Sequence, residues 1–216
     1  MLAIKDLIYS IDGKKIIPAI NWHVKTGQHA ALRGASGSGK TTLLHIIAGL
    51  IRPSSGTITM DNTDFLHMAP SALDRWRGKN IGMIFQTLHL VKALNVYDNL
   101  RLARFAAGLP DDAALLQTLL TTLGIDDKRH AFSHQLSIGQ AQRVAIARAL
   151  CTRPKWILAD EPTSALDDYH CAATLALLES QANENGSTLI VATHDARIYP
   201  GFSHIFDLQH ELRKAA

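Results

Sequence analysis

Residues 34–41 read Gly34-Ala35-Ser36-Gly37-Ser38-Gly39-Lys40-Thr41, a loop of small residues closed by a lysine and a threonine, with Thr42 following. Glycines let backbone N–H groups wrap an anion closely, and a helix that starts there aims its own N-terminal N–H groups at the same point. In such a loop Lys40 reaches the outer phosphates of a nucleotide and the Thr41 hydroxyl ligates Mg²⁺. The context is the one this chemistry needs: an apolar run over His29 to Arg33 precedes the loop, and a helical pattern over Thr41 to Leu50 follows it. A plain glycine-rich turn would require neither the lysine nor that setting.

A second run, Lys155-Trp156-Ile157-Leu158-Ala159-Asp160-Glu161, is an apolar strand that ends in two carboxylates. Ligands of parallel sheets gather at the C-terminal ends of the strands, so both acids can meet the phosphate loop. Asp160 would hold Mg²⁺ through water, and Glu161 would polarise an attacking water. Two adjacent acids at a strand end are otherwise a solvated turn; behind a phosphate loop they become a catalytic pair.

The surrounding pattern supplies the elements that must position these groups. Strands are predicted over Leu2 to Ile11 and Ile16 to Val24, with Asp12-Gly13 as the hairpin turn, and again over Thr57 to Met60. The middle reads as helical: Asn95 with Asp98 three residues on has the form of a helix start, Asp111 to Leu123 keeps helical spacing up to Gly124, and Ile138 to Leu150 buries Val144, Ile146, Ala147 and Leu150. Strands return at Lys155 to Ala159, Thr188 to Thr193 and Ile205 to Leu208, with a helix from Tyr169 to Asn183 between the first two. Alternating strands and helices predict an α/β domain around a parallel sheet.

Composition narrows the function classes. The 216 residues carry 22 Lys and Arg against 19 Asp and Glu, a formal net charge of +3 without a dense basic block, so direct nucleic-acid binding is not expected. The apolar share of 47% is that of a globular chain. No run approaches eighteen uninterrupted apolar residues, and charges at Lys5 and Asp6 interrupt what would be a secretory leader, which points to a cytosolic chain without a span. Cys151 and Cys171 form neither a C-x-x-C pair nor a framework and read as buried small apolar residues. His130 and His134, four apart, could share a metal on a helix, but no third ligand lies near them and they read as surface residues. Trp76 with Arg75, Arg77 and Lys79 reads as a solvated basic loop.

Further motifs separate this chain from other phosphate-loop proteins. Leu136-Ser137-Ile138-Gly139-Gln140, followed by Ala141-Gln142-Arg143 and VAIARAL, resembles the signature sequence of ATP-binding cassette (ABC) ATPases. Gln86 in IGMIFQ resembles the family's Q-loop glutamine, Ser164-Ala165-Leu166-Asp167 its D-loop, and Thr193-His194-Asp195 its switch histidine. The series runs in family order over nearly the whole chain. The resemblance implies a P-loop NTPase core with a mostly parallel sheet, an N-terminal antiparallel β subdomain and an inserted α-helical subdomain. It implies one ABC ATPase domain over 1–216, with 1–86 and 151–216 as core and β subdomain and 87–150 as the helical part.

It also implies ATP and Mg²⁺ as ligands and ATP hydrolysis as the reaction. Glu161, His194 and Gln86 would be catalytic; residues 34–42 with Ser137, Gly139, Gln140 and Asp167 would bind ATP; Thr41, Gln86 and Asp160 would hold the metal. Such ATPases pair head to tail, each ATP lying between one copy's phosphate loop and the other's signature. Ser137 and Gly139 open a predicted helix whose N-terminus suits that role. The sequence departs from the family twice. Ile138 stands where a glycine is usual, which fits if that residue is helical and weakens ATP-driven pairing if it is not. Ile11 stands where an aromatic usually stacks on adenine; Tyr9, on the same strand face by alternation, either substitutes or the stacking is lost.

Lacking a span, the chain resembles a separate motor subunit, placed on the inner face of the cell membrane by a permease encoded elsewhere. The segment from Trp76 to Gly108 is similar to the lipoprotein-releasing, macrolide-efflux and cell-division branch. Leu88 to Leu102, with apolar Leu88, Leu90, Val91 and Leu94, would form the groove for a permease helix. A nucleotide-gated signalling subunit shares all these motifs and differs only in what the membrane partner does. A DNA-repair cassette would carry long coiled coils or paired cassettes, and a P-loop kinase would have no use for LSIGQ.

Overall fold

The structure is a computed structural model that describes residues 1–164 and 168–214. Two sheets organise it. β1 (Leu2–Ile11) and β2 (Lys14–Val24) form a hairpin, and β4 (Ser55–Met60) pairs with the far edge of β1, giving an antiparallel sheet of order β2-β1-β4. The second sheet is parallel: β5 (Ile81–Ile84), β6 (Trp156–Asp160), β7 (Thr188–Thr193), β3 (Ala30–Arg33) and β8 (His204–Asp207), side by side in that order.

The central strands are apolar on both faces because both faces are covered, as parallel sheets require. Trp156, Leu158, Leu32, Ile190 and Ala192 point into one core, shared with the antiparallel sheet and with α1 (Lys40–Ile47). Their neighbours Ile157, Ala159, Ala31, Leu189 and Val191 point into the other, shared with α3 (Val96–Ala106), α4 (Ala113–Thr122), α5 (Ile138–Leu150) and α6 (Asp168–Glu184). The period of two along each strand divides one sheet between two cores.

Helix starts follow their capping residues. Asn95 accepts from the Asp98 N–H at the start of α3, and Asp112 accepts from the Leu115 N–H at the start of α4. Two helices differ from the sequence expectation. Trp76 with Arg75, Arg77 and Lys79, expected as a solvated basic loop, lies within α2 (Pro70–Asn80), with Pro70 in the first turn, Leu73 buried and Trp76 stacked on Phe65 at 4.6 Å. The chain after β8 turns into α7 (Leu208–Lys214).

The cysteines behave as small apolar residues. Both are buried, and burial pushes the Cys151 thiol up to about 12. His130 lies in a turn and His134 in the 3₁₀ turn Ser133–Gln135, its ring stacked on Phe132 at 6.0 Å, so the two do not share a helix. Among the described residues no helix is long and apolar enough to cross a membrane.

Candidate functional site

Four neighbouring strands of the parallel sheet deliver the chemistry to one edge. β3 leads into the phosphate loop, β6 ends on Asp160, β7 ends before His194, and β5 ends two residues before Gln86. In register, Ile84 lies beside Ala159, Asp160 beside Ala192, and Arg33 beside Thr193, so the four chain exits are adjacent.

The loop after β3 has the shape of an anion cradle. Gly37 and Gly39 take φ values of +77° and +95°, the left-handed region that suits glycine. At Gly34 a Cβ would lie 2.5 Å from Ser38 Oγ, so a side chain there would close the loop on itself. No side chain caps α1 at Gly39, which leaves the first-turn N–H groups available to an anion. The Lys40 side chain curls over the loop, its Nζ donating to Gly34 O at 3.0 Å and Ala35 O at 3.1 Å. These features fit a phosphate chain.

Glu161 is the centre of the polar cluster. Its φ is +46°, in the left-handed region, and its N–H donates to Ala192 O at 2.8 Å. Oε2 accepts from the Thr193 hydroxyl at 3.0 Å, Oε1 accepts from His194 Nδ1 at 2.8 Å, and Lys40 Nζ stands 3.3 Å from Oε1. Burial works against the charge, but the bonds from His194 and Thr193 and the nearby Lys40 ammonium outweigh it and hold this carboxyl below its usual range.

The neighbouring acid behaves in the opposite way. Asp160 is 3% exposed, and burial pushes its carboxyl up against the Thr41 hydrogen bond, with the Glu161 charge adding to the rise. Its Oδ1 is buried without a hydrogen-bond partner among the described residues. A hard cation supplies what such a carboxylate lacks, so the Thr41–Asp160 pair fits Mg²⁺.

The remaining expected residues are distributed as follows. Gln86 is exposed just past β5, and Thr42 lies half-buried in the first turn of α1. Ser137 caps α5 in a reciprocal box with Gln140, Oγ accepting from Gln140 N at 3.3 Å and Gln140 Oε1 accepting from Ser137 N at 3.0 Å. Ile138 is the first residue of that helix and 73% exposed, so this position takes the helical conformation a β-branched residue tolerates. Ser137 and Gly139 are also exposed. Among the described residues no hydrogen bond or ion pair joins this trio to the Lys40–Glu161–His194 cluster. Asp167 lies outside the described residues, as do Ala165 and Leu166. Tyr9 packs half-buried against the core, whereas Ile11 is 48% exposed. Strand alternation predicts a common surrounding for the two, but the ladder to β2 shifts register between Tyr9 and Ser10.

Three residues outside the expected set join the site. Thr193 fixes Glu161, as described. Gln142 on α5 donates to Pro162 O at 2.9 Å, just past Glu161. Arg148, at the other end of α5, donates to Leu88 O and His89 O at 2.7 and 2.6 Å, just past Gln86. The helix that starts at the signature therefore grips the segments following two of the expected catalytic residues. On the flank lie two hollows. One of about 350 Å³ is lined by Leu94 and Leu102 with the 80%-exposed Phe105. The other, of about 560 Å³, is lined by Leu50, Met83, Phe85, Ala103 and Ala106; Leu88, Leu90 and Val91 do not line it.

The pattern of the ABC transporter family matches residues 17–164. The chain is 36% identical over 214 residues to HrtA of Staphylococcus aureus (strain MRSA252), whose name carries hemin import ATP-binding protein as a provisional role, with 96% of each chain covered. It is 38% identical over 195 residues to the lipoprotein-releasing system ATP-binding protein LolD of Leptospira interrogans, covering 90% of this chain and 82% of that one. Among solved structures, the dimeric ATP-binding cassette MJ0796 bound to ADP and Pi superposes with a TM-score of 0.86 at 30% identity, covering 96% and 94% of the two chains. With its two sheets, its phosphate cradle and its signature helix, the chain belongs to the ABC transporter family as one of that family's ATP-binding, ATP-hydrolysing subunits.

Proposed function

We propose that this chain is the motor subunit of a transporter whose permease is a separate membrane protein, and that two copies close over two ATP molecules to drive it. The observation that carries this reading is the convergence of Lys40, Asp160, Glu161 and His194 on one sheet edge, while Ser137 and Gly139 stand exposed on another element. A nucleotide cradled by residues 34–42 of one copy would meet Ser137, Gly139 and Gln140 of the other. The dimeric state of MJ0796 supports such a pairing.

Within the site, Lys40 and the loop N–H groups would bind the β- and γ-phosphates. Thr41, Asp160 and Gln86 would hold Mg²⁺, which when bound neutralises charge developing on the phosphates. Glu161, kept ionised by its neighbours, would accept a proton from the attacking water as ATP becomes ADP and phosphate. The ionised carboxylate can only accept, so His194 donates from Nδ1. Its other ring nitrogen, Nε2, is then an acceptor and would orient the attacking water. Gln142 and Arg148 would carry changes around Glu161 and Gln86 into α5.

The names of HrtA and LolD, one given provisionally as a hemin import ATP-binding protein and one as an ATP-binding protein of a lipoprotein-releasing system, support a role beside a membrane partner. The hollow of about 560 Å³ beside Met83 and Phe85, the latter immediately before Gln86, would receive a permease segment. The test is co-purification from gently solubilised membranes, using Glu161→Gln with ATP to hold the closed pair. A membrane protein recovered in stoichiometric amount is expected. Recovery only as a soluble dimer would overturn the permease assignment and leave the ATPase intact.

A further inference from the structure

The buried polar atoms that lack a hydrogen-bond partner among the described residues include Asp160 Oδ1 and His45 Nε2. His45 follows Thr41 by one helical turn, so both lie on the same face of α1. His45 also acts electrostatically on the Asp160 carboxyl. The imidazole is held from the other side, edge-on to Phe85 at 5.9 Å, and Phe85 in turn meets His89 edge-on at 5.3 Å. Phe85 immediately precedes Gln86.

The two unpartnered atoms are complementary. A neutral imidazole can carry its proton on Nε2 and donate, while a carboxylate oxygen can only accept. Buried groups of this kind are commonly satisfied together by one ordered water. A ring present only to fill space would leave the His45 nitrogen unpaired, which buried polar groups rarely tolerate.

We propose that His45 is a positioning residue for Asp160, its Nε2–H holding the free carboxylate oxygen through one bridging water and so fixing how Asp160 faces a divalent cation bound with the nucleotide. The inference rests on Asp160 standing at the metal, as proposed above. Partners that orient a metal-binding side chain typically matter by 10- to 100-fold in metal affinity.

Mn²⁺ serves as the probe, its binding to the protein–ATP complex read by electron paramagnetic resonance, alongside ATP binding in EDTA. His45→Leu keeps an apolar filler and removes the donor; His45→Gln keeps a donor of similar reach. For His45→Leu we expect Mn²⁺ affinity to fall about tenfold, ATP binding in EDTA to stay within twofold, and His45→Gln to recover most of the loss. Mn²⁺ affinity within twofold of the parent in a folded His45→Leu protein would overturn the proposal. If His45→Leu does not fold, His45→Gln and the shorter His45→Asn decide: equal Mn²⁺ affinities contradict the bridge, and a selective loss in Asn supports it. Asp160→Asn separates the two claims. Unchanged Mn²⁺ binding there would remove Asp160 from the metal, whereas loss there with none in His45→Leu would remove His45 alone.

Discussion

His194 Nδ1 donates to Glu161 Oε1 at 2.8 Å, joining the residues that follow two adjacent strands, β6 and β7. The bond fixes the tautomer of the ring and, with Thr193, keeps the carboxylate ionised. His194 is 53% exposed while Glu161 is 8% exposed, so the pair runs from the interior to the surface. His194→Ala is therefore expected to lower turnover about 100-fold and to leave ATP binding within a few-fold. Phosphate release measured beside equilibrium ATP binding checks this. Parallel loss of both would place His194 in the phosphate cradle instead.

Lys40 is buried, and among the described residues its ammonium bonds to the loop carbonyls of Gly34 and Ala35 and pairs with Glu161. Its ammonium is the one side-chain charge in the cradle itself. Lys40→Ala should weaken ATP binding about 10- to 100-fold, the range expected for losing a charge-assisted hydrogen bond. Fluorescent-nucleotide titration measures it, and unchanged affinity would count against phosphate binding at residues 34–41.

Much of this site was legible in the sequence because it depends on local order. The phosphate loop, the acid pair after β6 and the capped start of α5 are each contiguous, with the strand or helix that positions them next to them in the chain. Helix α2 was not legible. Only Leu73 and Trp76 supply apolar spacing among charged residues, and its fold depends on Phe65, which Trp76 stacks upon. The bonds from Gln142 to Pro162 and from Arg148 to Leu88 and His89 link segments 20 to 60 residues apart, and no local pattern announces them. The surroundings of Tyr9 turn on a register shift that alternation alone does not foresee.

Arg197 clamps Asp195, with Nε 2.9 Å from Oδ1 and Nη2 2.6 Å from Oδ2, and also reaches Asp168 at the start of α6. The Arg197 hydrogen bond holds the Asp195 carboxyl down at about 2. A carboxyl depressed in the folded state adds stability above its ordinary range, and that contribution fades as pH falls toward the folded value. Arg197→Ala should therefore be less stable than the parent at pH 7, by a modest margin because the guanidinium is 41% exposed. The gap should narrow as pH drops below about 4. Urea midpoints across that range test it; a gap constant with pH would assign the loss to packing.

Arg104 is 6% exposed and donates to Cys151 O at 2.6 Å and twice to Pro110 O, tying α3 to the end of α5 and to the α3–α4 connection. Truncation leaves the buried Cys151 carbonyl without this donor. Arg104→Ala should cost about 2–3 kcal/mol of stability, read as a shift in the urea midpoint with ATP affinity unchanged. A shift below the error of the measurement would show that water or a rearranged loop replaces the bonds.

The most direct test of the account is Glu161→Gln, assayed for phosphate release, bound ATP and mass in solution together. The account predicts turnover reduced by at least about 100-fold, ATP retained unhydrolysed, and a mass doubled only when ATP is present. Phosphate release near the parent rate would remove Glu161 from the hydrolytic step and contradict the proposed mechanism.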